Sequence, residues 1–121
     1  MKINLERNKE YYEEINYVGC NCDYCMNYYK YIKGMYPKIE AYLSSLNVDI
    51  LKPLELMWFD ADKNNIAEYR CQFVVFGTCE DDYEKEIDGV EFYKTSIHPG
   101  TGIKDEEHFV LEFGPIKMKM K

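Results

Sequence analysis

Three of the five cysteines of this chain lie within six residues, in the run Cys20-Asn21-Cys22-Asp23-Tyr24-Cys25. Cys22 and Cys25 have the C-x-x-C spacing that allows two thiolates to bind one tetrahedral zinc ion. Cys20 adds a third potential ligand from the segment that leads into the pair. One interpretation of the cluster is therefore a metal site, for zinc or iron, formed by Cys20, Cys22 and Cys25.

Two other interpretations of the cluster stay open. A closed zinc site needs a fourth ligand, and no second C-x-x-C pair supplies one. The remaining cysteines and histidines are far away in the sequence: Cys71, Cys79, His98 and His108. The sequence therefore favours reduced structural thiols over a metal site. The third interpretation is a thiol enzyme with Cys25 as nucleophile, because free amides in the first turn of a helix stabilise a thiolate.

An acidic segment forms the second group of residues with chemical potential. Between residues 80 and 91, seven carboxylates are opposed only by Lys85. Such a run is usually a solvated strand edge, where charge prevents sheet-to-sheet aggregation. The functional interpretation is a docking surface for a basic protein. The candidate contact residues are Glu80, Asp81, Asp82, Glu84 and Glu86.

Composition limits the class of protein. The chain has 121 residues, of which 46% are hydrophobic and 31% charged, which predicts one globular domain over residues 1–121. The formal net charge is -7, arginine is rare and the lysines are scattered, so we expect no nucleic-acid partner. Nine of the 12 tyrosines lie between Tyr11 and Tyr42. Tyrosine suits half-buried faces and contact surfaces.

The chain is expected to be cytoplasmic. It contains no run of about 18 apolar residues that would span a membrane, and its first residues lack the apolar core of a signal peptide. An odd number of cysteines in a reducing compartment predicts thiols or metal ligands in place of a disulfide framework.

The N-terminal half predicts two helices. Asp23 is the expected N-cap of the first, which runs for about ten residues and stops at Gly34. Pro37 can begin the second helix, and Asn47 can adopt the left-handed conformation after its end. Residues 1–19 fit a helix or a strand, the latter on Ile15, Tyr17 and Gly19. The expected buried stripe of the second helix is Ile39, Tyr42, Leu43 and Leu46.

The remaining sequence predicts strands. Asp88-Gly89 is a two-residue hairpin signal, and the residues after Pro115 either extend the sheet or form a tail. Trp58 lies in an alternating segment and is expected in the core. The clearest alternation places five apolar side chains on one face: Ala67, Tyr69, Cys71, Phe73 and Val75. The predicted fold is α+β, with two N-terminal-half helices packed on an antiparallel meander sheet of four to five strands.

The run Cys20-Asn21-Cys22-Asp23-Tyr24-Cys25-Met26-Asn27-Tyr28-Tyr29 resembles a family of small uncharacterised proteins from Gram-positive bacteria and their mobile elements. The likeness extends through Ile39–Val48 and Leu54–Phe76. The resemblance implies a lineage and a recurring Cys-rich helix start. It implies no activity and no catalytic residue.

These observations predict a noncatalytic, protein-binding or inhibitory module. Its contact surface would be the tyrosine-rich helical face, the acidic segment, or both, and its partner a basic protein. The alternative is a metal-binding protein that uses Cys20, Cys22 and Cys25, with zinc as the first candidate ion. A thiol enzyme is the third class.

Overall fold

The computed structural model describes residues 1–15 and 20–121. The α+β class is confirmed, with three helices in the N-terminal half where two were predicted. The additional helix lies in the ambiguous N-terminal segment, and the strand alternative there, at Tyr17 and Gly19, lies outside the described residues. In chain order the elements are β1 (Lys2–Ile3), α1 (Leu5–Glu14), α2 (Asp23–Met35), α3 (Pro37–Ser45), β2 (Glu55–Phe59), β3 (Ile66–Thr78), β4 (Glu84–Ile87), β5 (Val90–Thr95) and β6 (His108–Lys119).

The sheet is antiparallel, and its order departs from a simple meander. The order is β1-β3-β6-β5-β4, with β2 also pairing with β3. The β4–β5 hairpin turns at Asp88-Gly89 as predicted. Strand β6 then returns between β5 and β3, and its continuation to Lys119 shows that the residues after Pro115 extend the sheet.

A bulge keeps two parts of β6 facing the same core. Tyr69 pairs with Ile116 and Cys71 with Phe113, so β6 has one residue more than β3 over this stretch. Gly114 lies there with φ 151°, and a Cβ atom would meet the Tyr69 carbonyl oxygen at 2.9 Å. Because of the extra residue, both Phe113 and Ile116 are fully buried.

The main core lies between the sheet and the helices. All five residues of the predicted apolar face of β3 are fully buried, which confirms that alternation. From the helices, Tyr28 and Ile32 of α2 and Ile39 and Leu43 of α3 pack into the same cluster. The rings of Phe73 and Phe113 stack within it at 5.7 Å.

The opposite face of β3 is also partly buried. Gln72 is 2% exposed, and its Nε2 donates to the Ile97 carbonyl oxygen at 2.8 Å and to Glu112 Oε1 at 2.7 Å, whereas its Oε1 has no hydrogen-bond partner among the described residues. Ile97 belongs to the β5–β6 loop, so this loop covers part of the second face. Hydrogen bonding makes the burial of such polar groups tolerable.

Helix α1 covers a part of the β3 edge that no strand pairs within the described residues. Strand β2 pairs with residues 68–72 of β3, and β1 pairs with Gly77 and Thr78. Between these two stretches, Asn8 Oδ1 accepts from the Phe76 N–H at 2.7 Å. The Tyr12 hydroxyl donates to the Val74 carbonyl oxygen at 2.6 Å. Side chains thus take the place of a neighbouring strand at an edge that would otherwise leave backbone groups unpaired.

The helix boundaries partly match the sequence. Pro37 begins α3, and Asn47 after its end has φ 59°, as predicted. Gly34 as the stop of α2 is wrong, because the helix continues to Met35 and the Tyr36 N–H donates to the Ile32 carbonyl oxygen. The residue before a proline is disfavoured in helical conformation, so Pro37 keeps Tyr36 out of the helix and α2 ends at Met35.

Candidate metal centre

The start of α2 positions the cysteine cluster. Cys22 is the N-cap residue, with an extended backbone, and its Sγ accepts from the Cys25 N–H at 3.5 Å. The prediction that Asp23 caps the helix is therefore wrong: Asp23 is the first helical residue, one position further on. A thiol can take the capping position because Sγ, like a serine hydroxyl, can accept from a free first-turn amide. Cys25 lies in the first turn, as predicted.

The three sulfur atoms lie within 4.8 Å of one another. Cys20 is exposed, Cys22 is half-buried and Cys25 is 3% exposed, so the group runs from the surface into the core. Sulfurs bound to one ion at about 2.3 Å are separated from each other by about 4 Å. Small side-chain rotations would therefore bring all three sulfurs around a single ion.

Backbone amides stabilise negative charge on two of these sulfurs. The Cys22 N–H donates to Cys20 Sγ at 3.3 Å, in addition to the bond from Cys25 to Cys22. The bond from the Cys25 amide lowers the pKa of the Cys22 thiol. Burial, followed by the hydrogen bond with Cys22, raises the pKa of Cys25 to about 12. Cys22 therefore forms a thiolate more readily than Cys25.

The same pKa values bear on the thiol-enzyme interpretation. An activated cysteine nucleophile is partly exposed and has a lowered pKa. Cys25 has the opposite properties, because it is buried and its pKa is raised. The position in the first turn, which suggested Cys25 as a nucleophile, does not compensate for its burial.

Within the part of the chain that the structure describes, a fourth ligand does not join the cluster. Among the described residues, the group of His, Cys, Asp and Glu side chains that could hold an ion comprises Cys20, Cys22 and Cys25. Cys71 is fully buried on the helix-facing side of β3. His108 Nε2 lies 2.9 Å from Thr101 Oγ1, and His98 Nδ1 lies 2.7 Å from the Pro99 carbonyl oxygen. Cys79 follows the other end of β3, where its carbonyl accepts from Lys94.

Aromatic side chains fix the position of the cluster. Tyr24 stacks on Trp58 with ring centroids 4.1 Å apart, and its hydroxyl accepts from the Ala61 N–H at 2.9 Å. Tyr69 donates to the Tyr24 carbonyl oxygen at 2.7 Å. Trp58 is 38% exposed, so its predicted place in the core is wrong. Alternation alone could not show that Trp58 forms a surface stack with a tyrosine from a distant helix.

The acidic segment lies at the far end of the sheet and is partly neutralised. Glu80 accepts from the N-terminal ammonium group, and Asp81 Oδ1 lies 2.7 Å from Lys94 Nζ. Asp82, Glu84 and Glu86 are exposed. The last two belong to β4, the terminal strand of the sheet. The five predicted contact residues are thus near one another, with two engaged inside the chain.

No helix in the described part of the chain is long and apolar enough to cross a membrane.

Comparisons with protein-family models, with curated proteins and with solved structures gave no match to this chain. The resemblance to small Cys-rich proteins of Gram-positive bacteria stays a prediction.

Proposed function

We propose that this protein binds a thiophilic metal ion through Cys20, Cys22 and Cys25. The observation that carries the proposal is the grouping of three sulfurs within 4.8 Å at one helix start. Thiolate ligands select soft ions, and zinc and iron are the common ones in proteins. All three ligands come from six consecutive residues, so little chain has to be ordered when the ion binds.

The environment of the sulfurs supports this proposal. Ligands in metal sites are normally oriented by a second shell of hydrogen bonds. Here backbone amides donate to Cys20 Sγ and Cys22 Sγ. Tyr24, which lies between Cys22 and Cys25, is held by its stack on Trp58 and by the hydrogen bond that Tyr69 donates to its carbonyl oxygen. Bound metal would add its free energy of binding to the stability of the start of α2.

The test uses protein purified under reducing conditions without an affinity tag. Metal-free protein is titrated with cobalt, whose thiolate bands report coordination by sulfur, and zinc is then added to displace it. We expect one ion per chain. At a free zinc concentration of 100 times Kd, the free energy of unfolding should rise by about 2.7 kcal/mol.

Cys79→Ser is the matched control, because it removes a cysteine outside the cluster. It should leave cobalt binding unchanged, whereas Cys20→Ser should weaken it at least tenfold. Metal content well below one ion per chain, with no affinity for any added thiophilic ion, would refute the proposal.

A second proposal is a protein-docking surface at β4. The observation that favours it is the exposure of Glu84 and Glu86 on a terminal strand that pairs on one side with β5. A terminal strand can accept a further strand from a partner, and its carboxylates would select a basic one. Glu80 and Asp81 would contribute less, because each already has a cationic partner.

A further inference from the structure

Three sulfur ligands complete the coordination shell of some ions, whereas other ions need a fourth ligand. Structural zinc is almost always bound by four protein ligands. In the described residues, no His, Asp, Glu or further Cys joins Cys20, Cys22 and Cys25. The four residues outside the described ranges are Asn16, Tyr17, Val18 and Gly19, none of which is of these types. Zinc bound here would need a water molecule as its fourth ligand. An ion that takes three sulfurs would find its complete shell in Cys20, Cys22 and Cys25.

The charge of the complex points in the same direction. Three thiolates carry three negative charges, and Asp23 lies between Cys22 and Cys25 in the sequence of an already acidic chain. A monovalent ion would leave two of those charges uncompensated and a divalent ion would leave one. The N-terminus of α2 offsets only about half a charge. A trivalent ion gives a neutral complex, which is the form that a partly buried site accepts at least cost.

We propose that this site, if it is the metal site proposed above, takes a trivalent thiophilic metalloid, supplied as arsenite, with Cys20, Cys22 and Cys25 as its complete set of ligands. Arsenite enters as the neutral trihydroxide. Three arsenic–oxygen bonds break and three arsenic–sulfur bonds form. Each thiol proton leaves with one hydroxide as water. Arsenic keeps its +3 oxidation state, so no oxidant or reductant is required.

The burial of the three cysteines gives an order for this exchange. Cys20 is exposed and can react first, Cys22 is half-buried, and Cys25 is 3% exposed beneath them. The sulfur spacing within 4.8 Å keeps the second and third thiols within reach of an arsenic held by the first.

Native mass spectrometry of reduced, metal-free protein with arsenite tests the proposal. The expected product gains one arsenic and loses three hydrogens per chain. The only tryptophan, Trp58, stacks on Tyr24 within the cluster, so its fluorescence should follow the titration. Zinc should release protons when it binds, whereas arsenite should release none. In direct competition, arsenite should displace zinc.

Cys20→Ser is the decisive variant, because an exposed residue can be changed without disturbing the core. It should lower arsenite affinity at least tenfold. Its residual product should keep one hydroxyl on arsenic, so that the chain gains one As–OH group and loses two hydrogens. Cys79→Ser should behave as the unchanged protein. Cys25→Ser is less informative, since Cys25 is buried and its replacement affects folding.

The inference on arsenite is overturned if arsenite fails to bind, if it fails to displace zinc, or if Cys20→Ser binds it as tightly as the unchanged protein. If arsenite fails in one of these ways but zinc or cobalt binds one to one, the proposed metal-binding function still holds and only the inference on arsenite is lost. Absence of binding by arsenite, zinc and cobalt would remove both.

Discussion

The backbone N–H of Cys25 donates to the Sγ of Cys22 at 3.5 Å, so one sulfur both caps α2 and belongs to the proposed ligand set. A capping side chain is normally an oxygen acceptor such as serine or aspartate. The use of a thiol at this position ties the start of the helix to the metal chemistry. The two roles can be separated by substitution, because serine keeps the capping acceptor while removing the sulfur.

Cys22→Ser should retain the stability of the metal-free protein and lose most of its stabilisation by zinc. Cys22→Ala removes both the cap and the ligand, and should be less stable than Cys22→Ser by about 1 kcal/mol without metal. Urea unfolding with a chelator, and then with zinc, measures both effects. Equal stability of the two variants in chelator would show that the cap has no energetic role.

The metal-free protein should lose stability as the pH rises from about 10 to about 12. Burial raises the pKa of Tyr69 to about 12, whereas tyrosine in the unfolded chain ionises near 10. The unfolded state then binds fewer protons than the folded state, so the free energy of unfolding falls with pH. The stabilisation linked to Tyr69 is fully present below about pH 10 and is lost as the pH rises through about 12.

Tyr69→Phe should flatten this alkaline decline, even if it lowers stability at neutral pH through the lost bond to Tyr24. The measurement is therefore the slope of the free energy of unfolding against pH, for Tyr69→Phe and for the unchanged protein, in the presence of a reductant and a chelator. An unchanged slope would mean that Tyr69 does not take part.

Tyr12→Phe should destabilise the protein by about 1–3 kcal/mol, because it leaves the buried Val74 carbonyl without its hydrogen bond. The matched control is Tyr36→Phe, which removes a tyrosine hydroxyl that donates to the Lys117 carbonyl oxygen and accepts from the Lys117 N–H in an exposed position. Water can replace both bonds, so the loss should stay below about 1 kcal/mol. Chemical unfolding at pH 7 compares the two, and equal losses would contradict the role of α1 at the sheet edge.

The double variant Glu84→Lys with Glu86→Lys reverses two charges on β4. It should abolish recovery of a basic partner in pull-down experiments. The control is Glu10→Lys with Glu13→Lys, which makes the same change in net charge on the exposed side of α1. Recovery should also decline as salt is added, because exposed charges are screened. Equal recovery with both double variants would exclude a docking surface at β4.

The sequence was sufficient where structure follows from local pattern. The alternation from Ala67 to Val75 predicted a strand with one apolar face, and those residues are buried. Asp88-Gly89 predicted the β4–β5 turn, and Pro37 and Asn47 predicted the limits of α3. These features depend on side-chain period and on backbone preference, which short segments determine by themselves.

Tertiary structure decided every feature that joins distant residues. The stack of Tyr24 on Trp58, the neutralisation of Glu80 and Asp81, and the place of β6 between β3 and β5 are examples. The six-residue cluster itself was visible in the sequence, but its capping thiol and the identity of its neighbours were not. A ligand set is a relation in space, so only the folded chain could show that three sulfurs come together and that Cys71, Cys79, His98 and His108 stay apart from them.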